Sequence, residues 1–199
     1  MIAVLTGDII NSREDKSPNW LIALKEGLNQ YGKEPQDWEI YRGDSFQLET
    51  TPSKALQAAI HIKAAIKQSK NIDVRIAIGL GDKTYTSEKI TESNGTAFIH
   101  SGECFERLKK KNLALKSTNT EFDQRINLLI ELALLTLDHW SPAIAKTVKT
   151  AMENPDLKQS ELAALLGKSQ GNISEELNRA GFEEVQKMIS TYQNEIQNL

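Results

Sequence analysis

The chain reads as α+β: a βαββαβ antiparallel sheet in its first half, followed by an all-helical module. Three observations predict this. Short apolar runs of strand character at residues 2–5, 38–41, 46–49 and 74–78 are separated by stretches whose apolar residues recur at helical spacing. Two of those runs flank Arg42-Gly43-Asp44-Ser45, a hairpin signal. Beyond residue 118 the strand signals stop, and the remaining patterns have a helical period.

In order, residues 2–5 read as a buried strand and residues 11–16 as a polar loop. Ser17-Pro18 places an N-cap before a proline at the first helical position, and Trp20, Leu21, Leu24 and Leu28 then share one face until Gly32. The hairpin follows. Thr51-Pro52 repeats the capping device ahead of a helix carrying Leu56, Ala59, Ile60, Lys63 and Ile66 and ending near Asn71. Residues 74–78 form a strand closed by Gly79-Leu80-Gly81-Asp82, and Gly95 opens a helix with Phe98, Gly102, Phe105 and Leu108. A short strand at 113–115 completes this part. Between 126 and 137 the apolar residues almost surround the helix, which predicts burial between two layers and a connecting role. Pro142 begins a further helix that Asn154-Pro155 ends, and three helices split at Gly167 and Gly181 fill the rest. The organisation expected is a sheet domain over 1–118, a helical connector over 119–154 and a terminal helical module over 155–199.

With 199 residues, 39% of them hydrophobic, the chain can bury a sizeable core as one large domain or two small ones. A net charge of −3 excludes a global basic field, so any nucleic-acid contact must come from a local patch. The first apolar run is cut by Gly7-Asp8, far short of an export signal, and no segment reaches the ~20 apolar residues that span a bilayer. A cytoplasmic protein without a membrane partner is expected. Cys104 is the single cysteine, and His61, His100 and His139 are far apart without cysteine partners, which argues against a disulfide or a structural zinc. Beside Phe105 on a helix, Cys104 reads as an inert core thiol.

Two apolar runs lead into Gly-Asp, at Gly7-Asp8 and Gly43-Asp44. A glycine before the acid lets the backbone turn and present the carboxylate at a strand end. In a ferredoxin-like βαββαβ sheet the first and third strands are antiparallel neighbours at the centre, so Asp8 and Asp44 converge at one edge. Paired carboxylates suit Mg²⁺ or Mn²⁺ with a bound phosphate. Arg42 and Gly43 on the hairpin, with Asn11 and Ser12 after the first strand, are the residues placed to contact that phosphate. The competing explanation is turn chemistry, in which aspartate satisfies local N–H groups.

The order Thr6-Gly7-Asp8-Ile9, Gly43-Asp44, Val74-Arg75-Ile76-Ala77-Ile78-Gly79-Leu80-Gly81 and Gly95 resembles the core of class III nucleotide cyclases over the first half of the chain. With its Thr-Gly-Asp-Ile-Ile-Asn-Ser opening, Ser101-Gly102-Glu103 and helical end, the whole chain is similar to the bacterial SatD family. The resemblance implies a cyclase-like domain with a metal site at Asp8, Ile9 and Asp44, followed by a regulatory helix-turn-helix. It also implies a loss: counted from Gly95, Ile99 stands where the cyclase helix has Asn and Glu103 where it has Arg. A carboxylate repels the developing phosphate charge that the Arg would stabilise. Arg107, one turn later, is a poor replacement. Cyclisation is therefore expected to be lost while metal or nucleotide binding persists.

Residues 159–179 fit a helix-turn-helix, with Ala163 small at the crossing, Gly167 at the turn, and Ile173 and Leu177 packing on Leu162 and Leu166. Lys168, Ser169, Gln170, Asn172 and Asn178 are the candidates for DNA contact. Against DNA, Glu175 and Glu176 sit on the exposed part of the second helix, where phosphates would repel them. The function expected is a regulatory protein that senses a nucleotide, phosphate ligand or metal and signals through this module to DNA or a protein. The alternative is a divalent-metal-dependent enzyme converting nucleotides with Asp8 and Asp44. A homodimer is consistent with either.

Overall fold

The computed structural model of the chain describes residues 1–13, 19–197 and 199. Five strands form one mixed sheet: β1 (Ile2–Ile10), β2 (Trp38–Tyr41), β3 (Ser45–Thr50), β4 (Asp73–Gly81) and β5 (Leu113–Lys116), in the order β2-β3-β1-β4-β5. β1 lies between β3 and β4 and is antiparallel to both, β2 is antiparallel to β3, and β5 joins β4 in parallel. The helices are α1 (Asn19–Asn29), α2 (Ala55–Ile66), α3 (Thr96–Arg107), α4 (Thr120–Leu137), α5 (Pro142–Glu153), α6 (Gln159–Leu166), α7 (Gln170–Arg179) and α8 (Phe182–Ile196). The expected cap at Ser17-Pro18 lies outside the described residues.

Strand alternation sorts the sheet into two faces. Ala3, Leu5 and Ile9 of β1, Phe46 and Leu48 of β3, and Val74, Ile76, Ile78 and Leu80 of β4 point into the main core, where Leu24 and Leu28 of α1 and most of α2 pack. The other face is covered over β4 and β1 by α3. Ala77 there meets Cys104 and Leu108.

Of the two glycine-led aspartate motifs, Gly43-Asp44 sits in the expected hairpin turn, while Gly7-Asp8 sits differently from the sequence expectation. β1 runs straight through Gly7-Asp8 to Ile10, so Asp8 lies within a strand and not beyond its end. Gly7 is there for space: a Cβ at this position would come within 2.3 Å of Phe46 Cζ, the residue opposite it on β3. The Gly79-Leu80-Gly81 run likewise continues β4, because a Cβ at Gly79 would lie 2.2 Å from Ala97 O and one at Gly81 would lie 2.4 Å from Thr96 Oγ1. These glycines let α3 rest directly on the strand.

α2 starts later and ends earlier than its pattern suggests: Pro52–Lys54 forms a 3₁₀ turn, and the helix stops at Ile66. Lys63, on its apolar face, is 2% exposed and places Nζ 2.7 Å from Asp73 Oδ1 and 2.7 Å from Asp138 Oδ1. Lys67 adds contacts to Asp73 Oδ2 and to the Asp138 carbonyl. This charged cluster ties α2 to the start of β4 and the end of α4.

α4 buries Phe122, Ile126, Ile130, Leu134 and Leu137 in the main core, but it is not enclosed. Leu128, Leu132 and Leu135 on its outer side are 59%, 57% and 72% exposed, which corrects the expectation of burial between two layers. The core continues through α5 into α8, where Tyr192 donates to Pro52 O at 2.6 Å and Trp140 Nε1 donates to Ala180 O at 3.1 Å. α6 and α7 share a separate cluster of Leu162, Ala163, Ile173 and Leu177 with Ala151 of α5. Gly167 between them has a left-handed φ of 64°, and Ser169 caps α7 by accepting from Asn172 N. Among the described residues no helix is long and apolar enough to cross a membrane.

Candidate functional site

Asp8 projects from β1 on the α3 side of the sheet. The register places Ser45 of β3 and Arg75 of β4 directly opposite it, so the three residues form a row across neighbouring strands. Ser45 Oγ donates to Asp8 Oδ1 at 3.1 Å, and Arg75 Nη2 donates to Asp8 Oδ2 at 2.9 Å. The guanidinium lies over the Phe105 ring of α3, 5.3 Å from its centroid, while Nε is buried with no hydrogen-bond partner among the described residues. Asp8 thus sits between a hydroxyl and a cation.

Asp44 stands at the end of the β2–β3 turn. Consecutive positive φ values at Arg42 (53°) and Gly43 (92°) suit the twist of a tight hairpin, with no side-chain crowding at Gly43. Asp44 O accepts from Ile9 N at 3.1 Å, and its Oδ2 accepts from Ser12 Oγ at 2.6 Å. The hairpin tip is therefore fastened to the end of β1, bringing Asp8, Ile9, Ser12, Arg42, Gly43 and Asp44 to one end of the sheet. The Ile9 side chain is 3% exposed on the core face, so only its backbone faces this site. Asn11 separates from the set: at φ 62° it turns its Nδ2 to Asn71 O, 3.0 Å away. Arg42 is exposed and donates no hydrogen bond to a described residue. Burial raises the Tyr41 phenol above its ordinary range, the nearby Arg42 charge opposing this and that of Asp8 adding to it.

Both Asp8 oxygens are hydrogen-bonded, and among the described residues no group of three or more His, Cys, Asp or Glu side chains is arranged to hold a metal ion. Among the described residues, side chains alone do not make a cation cage.

On α3, Ser101 receives a hydrogen bond from Thr6 Oγ1 at 3.0 Å. Ile99 is 53% exposed, and Glu103 is paired with Lys116 on β5. Arg107 lines a cleft with Lys116 and Cys104 at that edge of the sheet. The α3 side chain turned toward Asp8 is Phe105, through Arg75. Burial first, then Asp123, pushes the Cys104 thiol up to about 11 against the opposing effect of Lys116 and Arg107, in keeping with an inert core thiol.

In the C-terminal helices, Lys168 is already engaged: Nζ lies 2.6 Å and 2.9 Å from the Glu176 carboxylate oxygens and 3.0 Å from Thr147 Oγ1. Glu176 is consequently not on the exposed face. Burial works against its charge, but the hydrogen bonds from Lys168 and Thr147 hold its carboxyl below the usual range. Ser169 spends its hydroxyl on the cap, while Gln170, Asn172 and Asn178 are exposed. Asn178 lines a cleft of about 540 Å³ together with Ser174, Glu175, Glu183 and Glu184.

Sequence reasoning passed over Arg75 and Ser45. The signal for Arg75 was available: a single cation in an otherwise apolar strand, on the face opposite Val74 and Ile76. Comparison with protein-family models, with characterised proteins and with solved structures finds no match for this chain.

Proposed function

We propose that the chain is a regulatory protein: a ferredoxin-like, cyclase-like sheet senses a phosphate-bearing ligand, and α6 and α7 act as a helix-turn-helix that passes the state to DNA or a protein partner. The observation that carries this is the Asp8–Arg75 pair. Its side chains keep 23% and 35% exposure, so the ion pair is reachable from solvent. A phosphate fits the same arginine fork as a carboxylate, and Arg42 at the hairpin tip supplies a second guanidinium. A divalent cation arriving with the phosphates would take Asp8 and Asp44 as its carboxylates and would supply charge neutralisation.

Catalysis is not part of the proposal, since Ile99 offers no polar group and Glu103 carries the wrong charge. A continuous set of contacts runs from the sheet to α7. α2 meets α5 through His61 Nε2 and Glu153 Oε1 at 3.0 Å, and α5 meets α7 through Thr147 Oγ1 and Glu176 Oε2 at 2.5 Å.

Calorimetry with ATP, GTP, CTP and UTP, each with Mg²⁺ or Mn²⁺, tests the sensing arm. Binding of at least one is expected, weakened at least tenfold by Arg75→Ala and by Asp8→Asn; no heat from any of the eight mixtures rejects it. Gel shifts on genomic fragments at increasing salt test the DNA arm. Complexes that weaken steeply with salt support it, and no complex at low salt directs the module to a protein partner.

A further inference from the structure

We propose that the seam between the two hydrophobic cores binds a small uncharged molecule with an apolar body and a hydrogen-bonding end, and that its occupancy fixes α6 and α7 against the rest of the chain. The two cores are separate: Met152 belongs to the main one, Ala151, Leu162 and Leu177 to that of α6 and α7, and Phe182 packs against both. Between them lies a cleft of about 350 Å³ lined by these five residues and walled by α2, α5, α6, α7 and α8. Met152, Leu162 and Leu177 are 8%, 4% and 9% exposed, so the cleft reaches into the interior. Small-molecule sites share this size and an apolar lining with few polar groups, and they favour places where packed units meet. Left unfilled, the lining forfeits dispersion contacts on one side.

The lining also selects the chemical class. Among the described residues no ionisable side chain lines the cleft, so a charged ligand would lose its hydration there without gaining a counter-charge. In the adjoining cleft Glu175, Glu183 and Glu184 stand around the same Leu177 and Phe182, which disfavours anions further. Polar recognition falls to amides. Gln57 enters from α2 and Gln186 from α8, and neither side chain hydrogen-bonds another described residue. Both can pair with an amide, hydroxyl or carbonyl on the ligand. A molecule in the seam touches both cores at once and therefore opposes local opening of α6 and α7. This site is separate from the Asp8–Arg75 pair and takes the opposite kind of ligand.

The test uses the full chain, isotope-labelled at its methionine methyls for NMR. Met1, Met152 and Met188 are its three methionines, and of these Met152 lines the cleft. The probes are naphthamide and naphthoate, which share a shape and differ in charge. Naphthamide should shift the Met152 methyl with a Kd below about 1 mM and leave Met1 and Met188 in place, while naphthoate should bind at least tenfold more weakly. Gln186→Trp, at an exposed position of α8, fills the cleft and should abolish the shift at unchanged far-UV circular dichroism. Gln57→Ala should weaken binding severalfold by removing one amide. At about ten times Kd, amides of α6 and α7 that open locally should exchange about tenfold more slowly. No Met152 shift with naphthamide, a shift that survives both variants, or naphthoate binding as tightly as naphthamide overturns the site, and unchanged exchange overturns its fixing role. None of these readouts depends on nucleotide binding.

Discussion

Asp8 and Arg75 face each other across the β1–β4 register, and Arg75 Nη2 donates to Asp8 Oδ2 at 2.9 Å. The pair links the two most central strands at the end where the β2–β3 hairpin is fastened. Because both side chains are partly exposed, solvent screens it. Arg75→Met, which keeps the stem on Phe105 but removes the charge, should lower stability by about 1 kcal/mol in urea titration. Asp8→Asn should cost less, since an amide oxygen still accepts from Ser45 or Arg75. The double variant should then cost less than the two single effects added together; strict additivity would mean that the ion pair contributes nothing.

Gly7 is where β1 makes room for a ring. Phe46 is fully buried directly across from it, and an added Cβ would sit 2.3 Å from Phe46 Cζ. Gly7→Ala should therefore destabilise by about 1–3 kcal/mol through overpacking, and Phe46→Leu in the same chain should recover part of that loss. Equal losses in the presence and absence of Phe46 would instead indicate a backbone cause.

Much of the element order was legible because hydrophobic period and turn residues agree locally. The hairpin strand at 38–41 matches β2, and Gly167 and Gly181 separate α6, α7 and α8. What misled was glycine. At positions 7, 79 and 81 it signals a close tertiary neighbour and not a turn, and a sequence does not show which ring or helix will lie above. The outer leucines of α4 misled for a related reason: apolar residues all round a helix predict enclosure, but the period does not show whether a second layer covers the outer side. The meeting of Asp8 and Asp44 at one end of the sheet was legible through repetition of one motif. Ser45 carried no such signal, and for Arg75 the lone cation in an apolar strand was legible but not its partner, which cross-strand register decides.

Asn127 of α4 closes the exposed edge of the sheet. Its Oδ1 accepts from Leu115 N at 2.8 Å and its Nδ2 donates to Leu115 O at 2.8 Å, so one amide side chain stands in for a neighbouring strand on β5. Asn127→Leu leaves both backbone groups without these partners and should cost about 2 kcal/mol. Hydrogen exchange at the Leu115 amide should quicken at least tenfold more than at Ile76 on β4. The variant should also aggregate more readily, as an uncovered edge strand does.

His61 sets a pH dependence with a defined sign. Its side chain is 3% exposed between α2 and α5, edge-on to Tyr31, with Nε2 at Glu153 Oε1 and Nδ1 buried without a hydrogen-bond partner among the described residues. Burial lowers its pKa below 6.5, with Lys149 acting in the same direction and Glu153 opposing. The unfolded chain therefore takes up a proton near 6.5 that the folded chain resists, and stability falls as pH drops through that value toward the lower folded one. Glu153 is held below 4.5: burial opposes this, but the contacts from Lys149 and His61 prevail, so its own contribution is lost only at more acidic pH. Urea midpoints between pH 7.5 and 5 should decline with a slope of up to about 1.4 kcal/mol per pH unit from this residue. In His61→Leu that component should vanish. An identical slope in the two proteins would place the acid sensitivity elsewhere in the chain.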